Sequence, residues 1–271
     1  MTSPEVAPEI VRFYSETVDE ADRLVTTADG RLEMVRTQEL LRRHLPASPA
    51  RVLDVGGGPG AHARWLVEDG YAVHLVDPVR RHVERAKASG ATVELGDARR
   101  LTADDGSYDV VLMLGPMYHL PERADRDRAL AEARRVLKPG GLLAVAGINR
   151  YASLFEHAAY AHLHKKAMRE SIGTILVTQV HDGKNAFTRA YFHSGEQLRD
   201  EVAAAGFVDV DVFGVEGPAW SLLAAAERNT GQSFRESHLF DSVLTAARMA
   251  EPHPELLAAS SHLLTVGWRP S

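Results

Sequence analysis

Residues Arg51–Ala61 read RVLDVGGGPGA: a short apolar strand carries an acid, Asp54, and opens directly into Gly56, Gly57, Gly58, Pro59 and Gly60. Glycine at that point lets the backbone turn sharply and come close to a ligand, because there is no Cβ to collide with it. The stretch therefore points to a nucleoside-bearing cofactor.

Taken alone, the loop admits two of them. Gly56, Gly58 and Ala61 fit the dinucleotide pattern G-x-G-x-x-G/A, whereas Asp54, Gly56, Gly58 and Gly60 fit the pattern D-x-G-x-G-x-G of S-adenosylmethionine (SAM) sites. The rest of the chain has to choose between them.

Working outward, the pattern alternates strand and helix: RVLDV, a helix around 60–70, YAVHLVD, a helix around 79–89, and ATVELGD. This βαβαβ order implies parallel pairing and right-handed crossovers. The strand YDVVLML, a helix over 122–137 and the strand GLLAVAG carry the sheet to residue 147. Upstream, Ile10, Tyr14, Val18, Ala21 and Val25 recur at helical spacing, and a second helix, set off by Asp29-Gly30, stops near Pro46 and Pro49. Downstream, 151–172 reads as helix and 186–192 as extended. SGEQLRDEVAAAG reads as a helix capped by Ser194, VDVDVFGVEG as a strand, 219–227 and 234–250 as helices, and HLLTVGWRP as a final strand.

Two acids follow the glycine loop in register. Asp77 ends the second strand, where a carboxylate can accept from both hydroxyls of a ribose, and Pro78 follows it. That serves NAD and SAM equally. Asp97 ends the third strand in Gly96-Asp97-Ala98, where its carboxylate can accept from an adenine amino group while a neighbouring amide reaches a ring nitrogen. This second acid favours SAM.

With those pieces in place, residues 51–147 resemble the class I SAM-dependent methyltransferases, in particular the ubiquinone/menaquinone-type and small-molecule enzymes. VLDVGGGPG, LVDP, GDA, SYDVVLMLGPMYHL and ARRVLKPGGLLAV carry the resemblance. The turn Lys138-Pro139-Gly140-Gly141 between helix and strand is a habit of that family which NAD enzymes do not share. The resemblance implies an α/β, Rossmann-like, doubly wound sheet of seven strands. Its last strand would be antiparallel and inserted beside the fifth, with N-terminal helices and helical lid insertions around it. The chain then divides, within a single domain 1–271, into an N-terminal helical cap (1–47), a SAM-binding core (48–147) and a cap insertion (148–185). A C-terminal sheet part (186–271) with a helical insertion over 217–257 completes it.

Further site residues follow from the same picture. Leu114 begins the segment after the fourth strand, and in the family the backbone there faces the methionyl part of SAM. His119 is a candidate general base, since a neutral imidazole can take a proton near pH 7; the competing reading is packing at the start of the next helix. Arg36, assisted by Tyr14, can pair with the SAM carboxylate if the second helix closes over the pocket, or it is simply a solvated helical charge. Tyr118, His119, Tyr191, His193 and Trp220 are candidates for holding the methyl acceptor, with core packing as the plainer alternative for the last three.

Composition narrows the partners. The 271 residues carry a formal charge of −6 and no dense Lys/Arg block, which argues against nucleic acid. With no cysteine there is no disulfide, thiolate metal site or Cys nucleophile. His157, His162 and His164 are spaced by five and two, not by the four that aligns two imidazoles on one helical face, so no metal is expected. The N-terminus lacks a basic-flanked apolar leader and no stretch approaches a membrane span, which reads as a cytoplasmic protein acting without a membrane. The expected activity is SAM-dependent methyl transfer to an O, N or C nucleophile of a small metabolite or natural-product intermediate, by a monomer or a homodimer. The alternatives are a SAM-binding protein without methylation activity, an NAD-dependent oxidoreductase and an RNA methyltransferase.

Overall fold

The computed structural model describes residues 23–183 and 188–271. A short helical turn, Arg23–Thr26, leads into α1 (Ala28–Arg42). The core then runs β1 (Arg51–Val55), α2 (Ala61–Glu68), β2 (Ala72–Asp77), α3 (Arg80–Ala86), β3 (Thr92–Leu95), β4 (Tyr108–Met113), α4 (Arg123–Val136) and β5 (Leu137–Asn149). After it come α5 (Ala152–Ala159), α6 (Lys166–Thr178), β6 (Val180–Asp182), β7 (Arg189–His193) and α7 (Gly195–Ala204). The chain ends with β8 (Val208–Gly214), α8 (Trp220–Thr230), α9 (His238–Ala250) and β9 (His262–Trp268).

The strands lie in the order β3-β2-β1-β4-β5-β9-β8. β1 to β5 are mutually parallel, and β9 runs antiparallel between β5 and β8, as the resemblance implies. A hairpin, β6–β7, adds two strands that the sequence reading did not place in the sheet. β7 pairs parallel with the last residues of β5, Ile148 with Phe192 and Asn149 with His193, beyond the point where β4 ends.

Alternation along the strands explains why both faces must be covered. Leu53, Val55, Val111, Met113, Leu143 and Val145 face one way and pack against α4 and α7 through Leu130, Ala133, Leu198 and Val202. Val52, Val110, Leu112, Leu142 and Ala144 face the other way and meet Leu40, Leu41, Ala63 and Leu66 of α1 and α2. A parallel sheet apolar on both faces is stable only between two helical layers. Asp54, of the same parity as Val52, is thereby carried into the second layer at 1% exposure.

Local chemistry sets the ends of the elements. Thr27 caps α1 by accepting from the Gly30 amide, so Asp29-Gly30 forms the first turn of that helix and not the break before it that the sequence suggested. Ser194 caps α7 in a full capping box with Gln197, as expected. At the start of β5, Lys138–Gly141 loops out of register opposite Asp109, and the Lys138 ammonium donates to that carboxylate at 2.7 Å.

Above the carboxyl ends of β4, β5 and β7, the helices α1, α5, α8 and α9 form a roof with its own apolar core, including Leu32, Ala152, Phe192, Trp220, Leu223, Phe240 and Val243. The helix expected over residues 9–28 falls mostly outside the described residues.

Candidate functional site

A cavity of about 350 Å3 opens at the carboxyl edge of the sheet, over the gap between β1 and β4 where the strand order reverses. Open α/β sheets bind ligands at such a switch point. The loops after β1, β2 and β3 line one half, and the ends of β4, β5, β8 and β9 line the other. Glu33 and Thr37, one helical turn apart on α1, face it from above.

The first half collects most of the expected cofactor residues: Asp54, Gly56, Gly58, Asp77, Pro78, Asp97, Ala98 and Leu114 all line the cavity. Gly56 has φ +70°, and a Cβ there would lie 2.8 Å from the Pro116 ring, so only glycine lets the β1 and β4 loops touch. Gly115 meets it from the other side, where a Cβ would lie 3.0 Å from the Gly56 carbonyl oxygen. Gly60, at φ +89°, forms the left-handed N-cap of α2 beside Ala86 and is not itself in the cavity wall.

Both acids that follow the loop are more occupied than the sequence suggested. Asp77 Oδ2 accepts from the Gly58 amide at 2.9 Å; its Oδ1 accepts from Val79 N–H at 2.8 Å and lies 3.1 Å from His82 Nδ1. A carboxylate offers about four lone-pair sites, so the two amides already take two of the sites that a ribose would use. Asp97 is gripped by Arg99 through Nε at 3.0 Å and Nη2 at 2.6 Å, and it also accepts the Arg99 amide. Its remaining lone-pair site would suit an adenine amino group, and Ala98 lines the cavity beside it.

Asp54 differs from both. Its Oδ2 is buried and finds no hydrogen-bond partner among the described residues. Burial, and then the nearby Asp77 carboxylate, push its pKa up to about 7. Buried polar atoms are nearly always satisfied, so an orphaned carboxylate oxygen in a cavity wall fits a donor supplied by a ligand. The α-ammonium of SAM is such a donor, and these residues fit that cofactor: Asp54 for the amino-acid head, Asp77 for the ribose, Asp97 and Ala98 for the base.

Four expectations are corrected. Arg36 is 2% exposed and spends its guanidinium on Glu39 and Glu251, each at 2.6 Å, and on the Val215 carbonyl, so it does not reach into the cavity to meet a SAM carboxylate. Trp220 packs in the roof core and donates to the Ala259 carbonyl. Tyr191 lies under the Arg126 guanidinium, 3.8 Å from its ring centre, and donates to Gln179. His193 is fully buried beside Glu201, which also takes both forks of Arg126. These three serve the framework around the cavity rather than its wall. Tyr14 lies outside the described residues.

The second half of the cavity holds Tyr118 and His119, as expected, with their rings 4.6 Å apart. His119 Nδ1 lies 3.3 Å from Thr188 Oγ1, and desolvation pushes its pKa down to about 3. Arg189 and Glu122 pair at 3.1 Å in the same wall.

Sequence reading missed a group on the far side: Glu33 on α1, Glu216 just after β8 and His262 at the start of β9. One oxygen or nitrogen from each lies within 4.8 Å of the other two. His262 and Glu33 line the cavity, and Glu216 stands directly behind His262.

Comparison with known proteins agrees with this geometry. Residues 52–141 match the family model described as a methyltransferase domain, which does not favour the oxidoreductase alternative. The chain is 36% identical over 121 residues to methyltransferase GfsG of Streptomyces halstedii, covering 41% of this chain and 42% of that one. It is 33% identical over 172 residues to the malonyl-[acyl-carrier protein] O-methyltransferase of Geobacter sulfurreducens, covering 61% and 58%. It thus spans about half the length of such curated relatives. A SAM-dependent methyltransferase from Thermotoga maritima shares the fold with a TM-score of 0.62 at 22% identity, over 96% of this chain and 99% of the other. Together with the glycine loop, the strand order and the acids at the carboxyl edge, these matches show a methyltransferase domain over residues 52–141 and the fold of the class I SAM-dependent methyltransferases.

Proposed function

We propose that the protein transfers the methyl group of SAM to an O, N or C nucleophile of a small molecule. The observation that carries this reading is a single cavity with two chemically different halves: carboxylates and backbone amides suited to SAM over β1–β3, and a mixed aromatic, imidazole and carboxylate wall over β4, β5, β8 and β9. Bound SAM supplies a sulfonium-activated methyl group. The chain's own contribution is then to hold the acceptor in line with that methyl and to keep water out. Leu114, Gly115 and Tyr118 sit where the two halves meet.

A small acceptor, rather than a nucleic acid or a membrane lipid, is favoured by the net charge of −6 and by the roof of helices over the mouth. Among the described residues, no helix is long and apolar enough to cross a membrane. We assign the activity to the cytoplasm, by a monomer or a homodimer.

Calorimetry with S-adenosylhomocysteine (SAH), SAM and NAD, followed by transfer of labelled methyl across a panel of phenols, amines and carboxylic acids, tests the proposal. SAH and SAM should bind and NAD should not, and at least one acceptor class should gain label. Binding of SAM with no transfer to any member of a broad panel would instead favour a SAM-binding protein without methylation activity.

A further inference from the structure

The mouth of the cavity contains a buried acid–imidazole pair that the cofactor does not account for. Glu216 is 2% exposed and built into its place. Its Oε2 accepts from Ser260 Oγ at 2.9 Å and from the His262 amide at 2.8 Å, while Ser260 Oγ accepts from the Glu216 and Gly217 amides. Its Oε1 lies 2.5 Å from His262 Nδ1. Glu33 Oε2 stands 3.8 Å from the same nitrogen, across the cavity roof.

The topology explains why these residues meet. β9 runs against the other strands of the core, so its first residue, His262, lies beside Ile148 at the carboxyl end of β5. β8 ends at the same edge, and Glu216 follows two residues later. The pair is therefore on the acceptor side of the switch point, away from Asp77 and Asp97.

Two chemistries could use such a group, and the distances choose. Two ligands on one ion, each about 2.0–2.2 Å away and at right angles or wider, stand roughly 3 Å apart or more. The 2.5 Å between Oε1 and Nδ1 is shorter than that, and lies on the short side of the roughly 2.7–2.9 Å of a charge-assisted N–H···O hydrogen bond. The shared particle is a proton.

We propose that Glu216 and His262 form the proton-accepting dyad of the methyl transfer, with His262 the catalytic residue and Glu216 the positioning residue. This rests on the methyl-transfer reading above. The buried carboxylate holds the Nδ1–H tautomer, so the basic nitrogen of the ring is Nε2. The acceptor is a neutral hydroxyl or amine. As its lone pair forms the new bond to the methyl carbon, the sulfur–methyl bond breaks and its electron pair stays on sulfur, giving neutral SAH. The acceptor proton passes to the imidazole, and the imidazolium is held against the Glu216 carboxylate. Glu33 adds a second negative charge next to that cation. The site selects protic acceptors that must lose a proton on methylation, and it gives no advantage to acceptors already ionised in water.

The first test needs no acceptor. In 15N-histidine-labelled protein, with and without SAH, His262 should carry its proton on Nδ1, with a resonance far downfield that disappears in Glu216→Gln. A His262 protonated on Nε2 alone overturns the proposal. The second test uses labelled SAM with phenols and amines as probes. His262→Gln should lower kcat about 100-fold, with the SAH dissociation constant and the acceptor KM within threefold of the parent. Glu216→Gln should lower kcat about tenfold at unchanged KM, with partial recovery in Glu216→Asp. Unchanged kcat in His262→Gln overturns the dyad, as does parent activity that EDTA abolishes and Mn2+ restores. If Glu216→Gln melts before the assay temperature, His262→Gln and the tautomer measurement decide. Should the methyl-transfer reading itself fail, no probe gains label with the parent protein, while the tautomer still reports on the pair.

Discussion

Asp77 Oδ2 accepts the amide hydrogen of Gly58 at 2.9 Å, tying the end of β2 to the loop that leaves β1. The same carboxylate caps the next segment through Val79 and touches His82. It thus fixes the glycine loop, and on the proposed reading a ribose hydroxyl would meet a carboxylate that is already in place.

Asp77→Ala should therefore weaken SAH binding at least tenfold and also lower stability. A buried amide, Val79, and a half-buried one, Gly58, lose their acceptor, at about 1–3 kcal/mol for a buried group left unsatisfied. Asp77→Asn should be almost as harmful as Ala, because both carboxylate oxygens accept from N–H donors and an amide replaces one of them with a further donor. Calorimetry and thermal melts of the two variants check this. Full SAH affinity in Asp77→Asn would mean that the loop holds its shape without the carboxylate.

Arg36 makes the opposite case, a charged residue near the cavity whose work is structural. It joins α1 to α9 through Glu251, and Arg43 meets the same carboxylate. In Arg36→Met, Glu251 keeps Arg43 and Glu39 keeps Arg248, so the loss is that of the Arg36 hydrogen bonds, including the one to the Val215 carbonyl, and should cost about 1–3 kcal/mol. SAH affinity should stay within threefold. Loss of SAH binding at unchanged melting temperature would return Arg36 to the cofactor.

The contrast shows what the sequence could and could not convey. The β1 loop, Asp77, Asp97 and the Lys138–Gly141 turn are local signals in which residue type and chain position carry the meaning. All of them sit where the reading put them. Arg36 is different because the face of a helix that meets the cavity depends on how the helix is docked: Glu33 and Thr37, in the same turn and a half, point in, and Arg36 points to α9. Trp220, Tyr191 and His193 failed for a related reason, since aromatic and imidazole side chains late in a chain look alike whether they line a cavity or fill the framework behind it. The Glu216–His262 pair was within reach. An antiparallel last strand must begin at the carboxyl edge of the parallel ones, so the residues flanking its start belong to the binding edge. That consequence follows from topology, and no local motif announces it.

Asp54 allows a prediction in which stability and binding move in opposite directions with pH. Its carboxyl is raised from 3.8 to about 7 in the folded protein, first by burial and then by Asp77. Between about pH 4 and pH 7 the folded protein holds a proton that the unfolded chain has released. This group's contribution to stability is thus complete below pH 4, declines as pH rises, and is lost above about 7, with a full swing on the order of 4 kcal/mol. A cation placed beside Asp54 favours the ionised form, so SAH should bind more tightly as pH rises from 6 to 8 and then level off. Below pH 7 binding should release a proton, visible as a dependence of the calorimetric enthalpy on the buffer. Asp54→Asn should raise the melting temperature of the ligand-free protein at pH 8, lower SAH affinity at least tenfold, and flatten the pH dependence of binding. A variant that gains stability and keeps its affinity would show that Asp54 is not where the cofactor's ammonium is held.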